Sequence, residues 1–376
     1  MKIPLSRPEV TEKDIQLVVK TLKTPHLSLG PRLVEFEDKA AKYAGVKYGV
    51  AVNSGTSALH LIVRALGIKQ GDEVITTPFS FVASSNCVLF EGAKPVFVDI
   101  DPDTLNINAD LIEKKINKKT KAILAVDVFG HPAEWEALRK IARKHGLKLI
   151  EDSCEALGSE YKGKKAGSFG DAGTFAFYPN KQITTGEGGM ILTNNRRIAS
   201  LARSMRNQGR GDKNSWLNHV RLGYNYRISE INCVLGYNQI QRIDSIRAKR
   251  SKVAEIYNDK LKGIGEIDLP YVEPDVKMSW FVYVIRLGKA FKRRHRDSIL
   301  RFLKAKNIEC SNYFQPIHLQ SFYRKLYGFK SGMYPLTEDI AERTIALPFF
   351  NNITSKQIDY VFKSLTEAII KSKKGK

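Results

Sequence analysis

The first 220 residues alternate short apolar runs with stretches whose apolar positions recur every three to four residues. The runs predict buried strands, and the periodic stretches predict helices that cross between them. The predicted strands and helices, in chain order, are residues 48–52, 57–66, 73–76, 82–90, 96–98, 122–126, 135–144 and 147–151. This order predicts an α/β fold with a mostly parallel sheet, in which the carboxyl ends of the strands face the ligand.

The pattern changes after residue 229. Residues 229–261 have apolar side chains near helical spacing and predict one long helix. Residues 281–286 alternate as a strand does, and helices are predicted at 296–306 and 357–371. We therefore expect a large domain over residues 1–248 and a smaller α+β domain over residues 249–376. Only the lysine-rich tail, residues 371–376, is expected to be disordered.

Composition supports a folded protein, because 43% of the 376 residues are hydrophobic and 27% are charged. The first residues include two prolines and no apolar segment of signal-peptide length, and no run approaches the ~18 apolar residues of a membrane span. A cytoplasmic location and no membrane association are expected. Cys87, Cys154, Cys233 and Cys310 show no paired or metal-ligand spacing, so we expect neither disulfides nor a metal.

The net charge of +22 raises the possibility of a nucleic-acid partner. The densest basic stretch, residues 292–306, has four apolar residues spaced for the inner face of a helix: Ile299, Leu300, Phe302 and Leu303. This spacing favours a solvated helix face, and no nucleic-acid-binding motif accompanies it. A basic surface also attracts small phosphorylated ligands.

Candidate chemistry begins at residues 53–58, which follow a predicted strand and open a predicted helix. Free backbone N–H groups and the positive end of the helix dipole stabilise a phosphate at such a junction. Gly55 would let the phosphate approach the backbone closely. The alternative is a simple helix cap formed by Ser54 or Thr56.

Two further segments carry reactive groups. Asp152 ends a buried strand, and Lys181 lies between an aromatic segment at 175–178 and a glycine-rich turn at 186–189. Partial burial lowers the pKa of a lysine ammonium and frees the amine as a nucleophile, although a single lysine is more often an exposed cation. A phosphate-binding turn, a strand-end Asp and a loop Lys on an α/β scaffold are the parts that a pyridoxal phosphate enzyme needs.

The chain resembles the DegT/DnrJ/EryC1/StrS family of sugar aminotransferases, within the fold-type I pyridoxal phosphate enzymes. The segments that carry the resemblance are GDEVITTPFSFVAS at 71–84, GAKPVFVDID at 92–101, EDSCEALG at 151–158, NKQITTGEGGM at 180–190 and GYNYRISE at 223–230. The resemblance implies a large domain with a mostly parallel sheet and a smaller C-terminal α+β domain.

Carried over residue by residue, the resemblance makes Lys181 the catalytic Schiff-base residue and Asp152 the partner of the pyridine nitrogen. Gly55 and Thr56 would hold the cofactor phosphate. Phe81 would lie against the cofactor ring, unless it is a core strand residue.

Asn225 matches a residue that reaches the phosphate bound by the neighbouring subunit. As a bare sequence feature it would be a turn residue. The resemblance thus implies a homodimer with shared active sites.

Two positions depart from the family pattern. Ala176 stands where many members have Ser, so one hydroxyl contact to the phosphate is expected to be missing. Glu155 stands where many have Gln or His, and it resembles the branch containing GDP-perosamine synthase. We expect Glu155 near the ring hydroxyl, either protonated or hydrogen-bonded.

The resemblance also suggests substrate contacts. The segment containing Tyr313 and His318 resembles one that lines the sugar site, although a single His is more often structural. Trp216, His219 and Arg221 could meet the sugar or its nucleotide.

The sequence therefore predicts a homodimeric aminotransferase that moves an amino group from an amino acid, expected to be L-glutamate, to a nucleotide-linked keto sugar for surface polysaccharide or glycoconjugate biosynthesis. One alternative is a pyridoxal-dependent sugar dehydratase, in which His replaces the lysine. The other is a nucleic-acid-binding regulator. The sequence does not define the nucleotide, the sugar or the aminated carbon.

Overall fold

The computed structural model describes residues 1–211 and 217–374. Its helices are α1 (Glu12–Leu22), α2 (Pro31–Ala44), α3 (Gly55–Ala65), α4 (Ala83–Leu89), α5 (Trp135–His145), α6 (Arg196–Arg206), α7 (Glu230–Ile240), α8 (Ile243–Leu261), α9 (Arg293–Ala305), α10 (Ser321–Tyr327), α11 (Pro335–Arg343) and α12 (Ser355–Lys374). Its strands are β1 (Tyr48–Val52), β2 (Glu73–Thr76), β3 (Lys94–Phe97), β4 (Thr120–Val126), β5 (Lys148–Asp152), β6 (Glu160–Tyr161), β7 (Lys164–Lys165), β8 (Ala172–Ala176), β9 (Gly189–Thr193), β10 (Ile267–Asp268), β11 (Val276–Lys277), β12 (Tyr283–Leu287) and β13 (Thr344–Leu347).

A seven-stranded sheet in the order β1-β9-β8-β5-β4-β2-β3 forms the centre of the large domain. Its strands run parallel except β9, which is antiparallel to both β1 and β8. The strands are almost entirely buried, which explains why they consist of continuous apolar runs rather than alternating ones. The predicted α/β fold with a mostly parallel sheet is confirmed.

The long helix predicted over residues 229–261 is wrong, because the chain breaks it into α7 and α8 at Gln241 and Arg242. The Arg242 guanidinium turns back to Asp14 at 2.6 Å and to Glu9 at 3.0 Å. These ion pairs connect the residues between α7 and α8 to the amino-terminal segment of the chain. Apolar periodicity continues across the break, so the pattern alone gave no sign of it.

The C-terminal part contains a three-stranded antiparallel sheet, β10-β12-β13, packed with α8, α9 and α12. Ile3 belongs to the same core, since it is fully buried and pairs with Ile308. The amino-terminal residues thus pack against the small domain, and the domain division at residue 248 stays a prediction. Disorder was expected for residues 371–376, and this prediction is wrong for residues 371–374, which belong to the end of α12.

Helix α9 carries the densest basic stretch as an amphipathic helix. Ile299, Leu300 and Leu303 are buried and Phe302 is half-buried, so most of the positive charge faces outward. The four cysteines are free thiols. Among residues 1–211 and 217–374, no helix is both long and apolar enough to cross a bilayer.

Candidate active site

A cavity of about 540 Å³ opens where the carboxyl ends of β1, β2, β4, β5 and β8 meet. The aromatic rings of Phe281, Tyr313 and Phe314, from the C-terminal part of the chain, also line it. The sequence-predicted residues that line it are Gly55, Thr56, Phe81, Asp152, Glu155, Lys181 and Tyr313. Gly55, Phe81 and Asp152 follow or end different strands and share one cavity, as expected for strand ends in a parallel sheet, whereas Tyr313 comes from outside that sheet.

The β1–α3 junction forms the floor of the cavity. Ser54 caps α3 by accepting a hydrogen bond from the Ser57 N–H at 3.1 Å, so the helix-cap alternative is realised. The N–H groups of Gly55 and Thr56, in the first turn, have no acceptor within the helix. The helix cap and a phosphate site are compatible, because the cap uses the Ser57 N–H and leaves the N–H groups of Gly55 and Thr56 available for an anion.

Gly55 also satisfies a packing requirement. A Cβ at this position would lie 2.9 Å from the Ala176 Cβ and 3.0 Å from the Cys154 Sγ. Both approaches are closer than carbon and sulfur atoms tolerate without movement. The absence of a side chain thus lets β8 and β5 approach the amino terminus of α3.

Asp152 is 4% exposed at the end of β5. Its Oδ2 accepts a hydrogen bond from the Ser84 hydroxyl at 2.7 Å, and its Oδ1 accepts one from the Cys154 N–H at 3.2 Å. Ser84 lies in the first turn of α4. Two donors therefore fix the orientation of the carboxylate inside the cavity.

Lys181 projects into the cavity with its side chain 12% exposed. Its Nζ lies 3.6 Å from Glu155 Oε1 and 3.9 Å from the centre of the Phe281 ring. The carboxylate and the ring face both attract the ammonium, and they orient the side chain toward the middle of the cavity.

Glu155 is held from two sides. Its Oε2 accepts a hydrogen bond from the Phe129 N–H at 2.9 Å, while its Oε1 faces Lys181. Burial raises the pKa of Glu155, and the Lys181 ammonium and the Phe129 N–H only partly oppose this rise. This carboxyl thus takes up a proton at a higher pH than an exposed glutamate.

Phe81 is 62% exposed in the connection between β2 and α4. It lines the cavity mouth and is not a core strand residue, which removes that alternative. Tyr178, also exposed, lines the same cavity. An exposed aromatic ring over a cavity is available for stacking on a flat ligand.

Tyr313 lines the cavity, but His318 does not. The His318 ring is fully buried, its Nε2 lies 3.0 Å from Glu338 Oε1, and it meets the Tyr334 ring in a T-shaped contact with the ring centres 4.6 Å apart. Burial lowers the pKa of His318. His318 is therefore held in the interior of the described chain, and its substrate contact stays a prediction.

The residues before the GYNYR segment do not reach the cavity. His219 Nδ1 forms a hydrogen bond with the Gln208 carbonyl oxygen at 2.8 Å, and the Arg221 guanidinium donates one to the Ser204 hydroxyl. Asn225 is exposed and pairs with Asn207 through an isolated bridge. Trp216 lies outside the described residues. One chain therefore brings neither His219, Arg221 nor Asn225 to its own cavity.

Sequence reasoning missed several cavity residues, including Ser84 and Phe281. Ser84 is the last residue of the segment 71–84 that resembles the family, but nothing in the sequence indicated that its hydroxyl contacts Asp152. Phe281 meets Lys181 from a distant part of the chain, and no sequence signal indicated that contact.

Comparisons with known proteins agree with this geometry. The model of the DegT/DnrJ/EryC1/StrS aminotransferase family matches residues 8–366. GDP-perosamine synthase of Caulobacter vibrioides is 37% identical over 371 residues, which cover 98% of this chain and 99% of that protein.

Two solved structures have nearly the same fold. Helicobacter pylori PseC, an aminotransferase involved in the biosynthesis of pseudoaminic acid, superposes with a TM-score of 0.93 at 31% identity, covering 99% of this chain and 100% of that one. The PLP form of Spr1654, a sugar aminotransferase homologue from Streptococcus pneumoniae, superposes with a TM-score of 0.94 at 29% identity, with 99% and 100% coverage.

Proposed function

Because the chain belongs to the DegT/DnrJ/EryC1/StrS aminotransferase family, we propose that it moves an amino group from L-glutamate to the keto carbon of a nucleotide-linked sugar. The observation that carries this proposal is the meeting of Lys181, Asp152 and the α3 amino terminus in one cavity. The GDP-perosamine synthase and PseC relatives support a sugar nucleotide as the acceptor and amino-sugar biosynthesis as the role.

The cavity fits pyridoxal phosphate, the cofactor of this enzyme class. The α3 amino terminus offers two N–H groups for the phosphate, and the missing Cβ of Gly55 keeps that place open. Asp152, oriented by Ser84, suits a protonated pyridine nitrogen. Phe81 and Tyr178 supply rings at the mouth. Ala176 offers no hydroxyl, so the phosphate would depend more on the helix.

Pyridoxal phosphate supplies an electron sink when bound. Asp152 would keep the proton on its pyridine nitrogen, because the carboxylate is fixed by two donors and is shielded from water. Lys181 would carry the covalent attachment and then move a proton at the substrate carbon, since its amine is the basic group that the cavity presents. Glu155, 3.6 Å away, would hold that amine in place.

A homodimer with shared sites is part of this proposal. Asn225 is exposed and outside its own cavity, which agrees with a contact to the cofactor phosphate of a second copy. The cytoplasmic location stays a prediction from the sequence. The dehydratase alternative is not favoured, because position 181 is the lysine that amino transfer needs.

The test uses the protein purified with its cofactor. Borohydride reduction followed by peptide mapping should place the cofactor on Lys181, and L-glutamate should convert the absorbance of the bound cofactor to that of the amine form. Lys181→Ala should abolish both results, while Lys289→Ala, at an exposed lysine, should change neither. Attachment to another lysine would contradict the proposal.

Subunit sharing has its own test. Mixing inactive Lys181→Ala and Asn225→Ala proteins should restore activity, because one site of each mixed dimer then has both native residues. If the subunits exchange and no activity returns, the sites are not shared.

A further inference from the structure

A second pair of acidic residues is buried behind the cavity. Asp127 follows β4, and Glu151 and Ser153 flank Asp152 at the end of β5. All three of Asp127, Glu151 and Ser153 are fully buried. None of them lines the cavity, so the chemistry proposed above makes no use of them.

The hydrogen atoms in this group can be counted. The Ser153 Oγ lies 2.6 Å from Asp127 Oδ2 and 2.7 Å from Glu151 Oε1. One hydroxyl has one proton and can donate to only one carboxylate oxygen. The other contact brings two oxygen atoms to hydrogen-bond distance, so it needs a proton of its own. One of the two carboxyls is therefore un-ionised.

The partners of each carboxyl decide where that proton lies. Glu151 accepts hydrogen bonds from backbone N–H groups at both oxygens: from Gly167 at Oε1, and from Phe169 at 2.6 Å and Gly170 at 3.3 Å at Oε2. Such donors stabilise a carboxylate. Burial raises the pKa of Glu151 too, but these donors oppose that rise, so Glu151 is the ionised member of the pair.

Asp127 has a different environment. The Ala133 N–H at 2.8 Å and the Trp135 Nε1–H at 3.0 Å both donate to Oδ1, whereas Oδ2 has a hydrogen-bond partner only in Ser153 among the residues that the structure describes. Burial, together with the charge of Glu151, raises the pKa of Asp127 well above its ordinary value. The proton therefore sits on Asp127 Oδ2, which donates to Ser153, and Ser153 donates to Glu151.

We propose that Asp127 is a positioning residue, held as the un-ionised acid, that fixes the loop and the strand end presenting Glu155 and Asp152 to the cofactor. Its own N–H donates to the Asp152 carbonyl at 3.0 Å. Its carboxyl closes the loop over residues 127–135 through Ala133 and Trp135. The role in presenting these residues to a cofactor rests on the proposed function.

The loop connects the buried pair to the cavity through Phe129. The Phe129 N–H is the backbone donor to Glu155, and its ring stacks on Phe314 at 5.2 Å. Loss of the Asp127 carboxyl would release the loop and remove that donor from Glu155. The protonation of Glu155, and with it the pH dependence of the bound cofactor, would then change.

Two amide substitutions test the proton assignment. Asp127→Asn should be tolerated, because the amide nitrogen donates to Ser153 as the acid does and the amide oxygen still accepts from Ala133 and Trp135. Glu151→Gln should lower the unfolding temperature, because one amide nitrogen must then face backbone N–H donors. The opposite ranking of the two variants would place the proton on Glu151 and overturn the proposal.

Infrared difference spectroscopy of the holoenzyme at neutral pH gives a direct measurement. The wild type should show the carbonyl band of an un-ionised acid that Asp127→Asn lacks, and Ser153→Ala should shift this band. Absence of the band, or its loss in Glu151→Gln but not in Asp127→Asn, would overturn the assignment. This result does not depend on which reaction is catalysed, so it can be separated from failure of the proposed function.

The positioning role needs a readout at the cofactor. Asp127→Ala should weaken binding of pyridoxal phosphate by about tenfold or more and shift the pH profile of its absorbance, since a lost buried hydrogen-bond partner has effects of this order. Asp127→Asn should restore both to near the wild-type values. Unchanged affinity and pH profile in a folded Asp127→Ala protein, or no recovery in Asp127→Asn, would contradict the positioning role.

Discussion

Gly189→Ala gives the sharpest test of how the phosphate site is shaped. Gly189 opens β9 and is buried beside the amino terminus of α3. A Cβ there would lie 2.3 Å from the Ser54 carbonyl oxygen, 2.5 Å from its carbon and 2.8 Å from the Gly55 nitrogen. All three atoms belong to the backbone, so no side chain can rotate away. The methyl group must push the α3 terminus out of place.

The expected effect follows from the cost of overpacking, about 1–3 kcal/mol for extra carbon atoms in a well-packed interior. The displaced atoms are the ones that would face the phosphate, so we expect much of this loss in cofactor binding. At 1.4 kcal/mol for each tenfold change, the dissociation constant should rise roughly 5- to 100-fold. The unfolding temperature should also fall by several degrees.

The assay is titration of the cofactor-free protein with pyridoxal phosphate, followed by absorbance and by thermal unfolding. Gly265→Ala is the matched control, because a Cβ at Gly265 meets no atom within 4 Å. That variant should change stability by no more than about 1 kcal/mol and leave binding unaltered. Wild-type affinity and stability in Gly189→Ala would refute the close approach of β9 to α3 as the shape of the phosphate site.

Three further predictions concern charged groups. Asp152→Asn should slow the reaction with L-glutamate by roughly 100-fold or more in stopped-flow absorbance, as expected for loss of a preorganised electrostatic contact, while retention of wild-type rates would contradict its role. Burial raises the pKa of Glu155, so Glu155→Gln should remove the corresponding titration from the pH profile of cofactor absorbance. A profile identical to that of the wild type would show that Glu155 does not cause this titration. Burial alone would raise the pKa of Glu338, but hydrogen bonds from neighbours including Ser331 and His318 outweigh it and lower the pKa from 4.5 to about 2. The stability gained from Glu338 is therefore present above pH 4.5 and is lost as the pH falls toward 2. In Glu338→Gln the free energy of unfolding should depend less on pH across this interval. The same pH dependence as in the wild type would argue against a contribution of Glu338 to stability.

The elements that meet at the carboxyl edge of the sheet were predictable from the sequence. Lys181, Asp152 and Gly55 each follow or end an apolar run, and a parallel sheet brings such positions together. That logic fails for contacts with residues outside this sheet. Phe281 approaches Lys181 from a distant part of the chain, and the amino-terminal residue Ile3 joins the C-terminal core without any local pattern to indicate it.

Other differences arise from side-chain partners that lie far away in the sequence. His318 belongs to a segment that resembles a sugar-binding one, yet Glu338 and Tyr334 hold its ring in the interior. At the break between α7 and α8, Arg242 forms ion pairs with residues more than 200 positions earlier. Hydrophobic periodicity reports which face is buried, and it carries no information about such pairings.

The central claim is that this enzyme transfers nitrogen to a sugar, and isotope transfer measures that directly. The holoenzyme is incubated with nitrogen-15 L-glutamate and a panel of 4-keto nucleotide sugars, and the products are analysed by mass spectrometry. A nucleotide-linked amino sugar that carries the label, formed by the wild type and not by Lys181→Ala, is the predicted result. A sugar that loses a hydroxyl group and gains no labelled nitrogen would contradict the claim and identify a dehydratase instead.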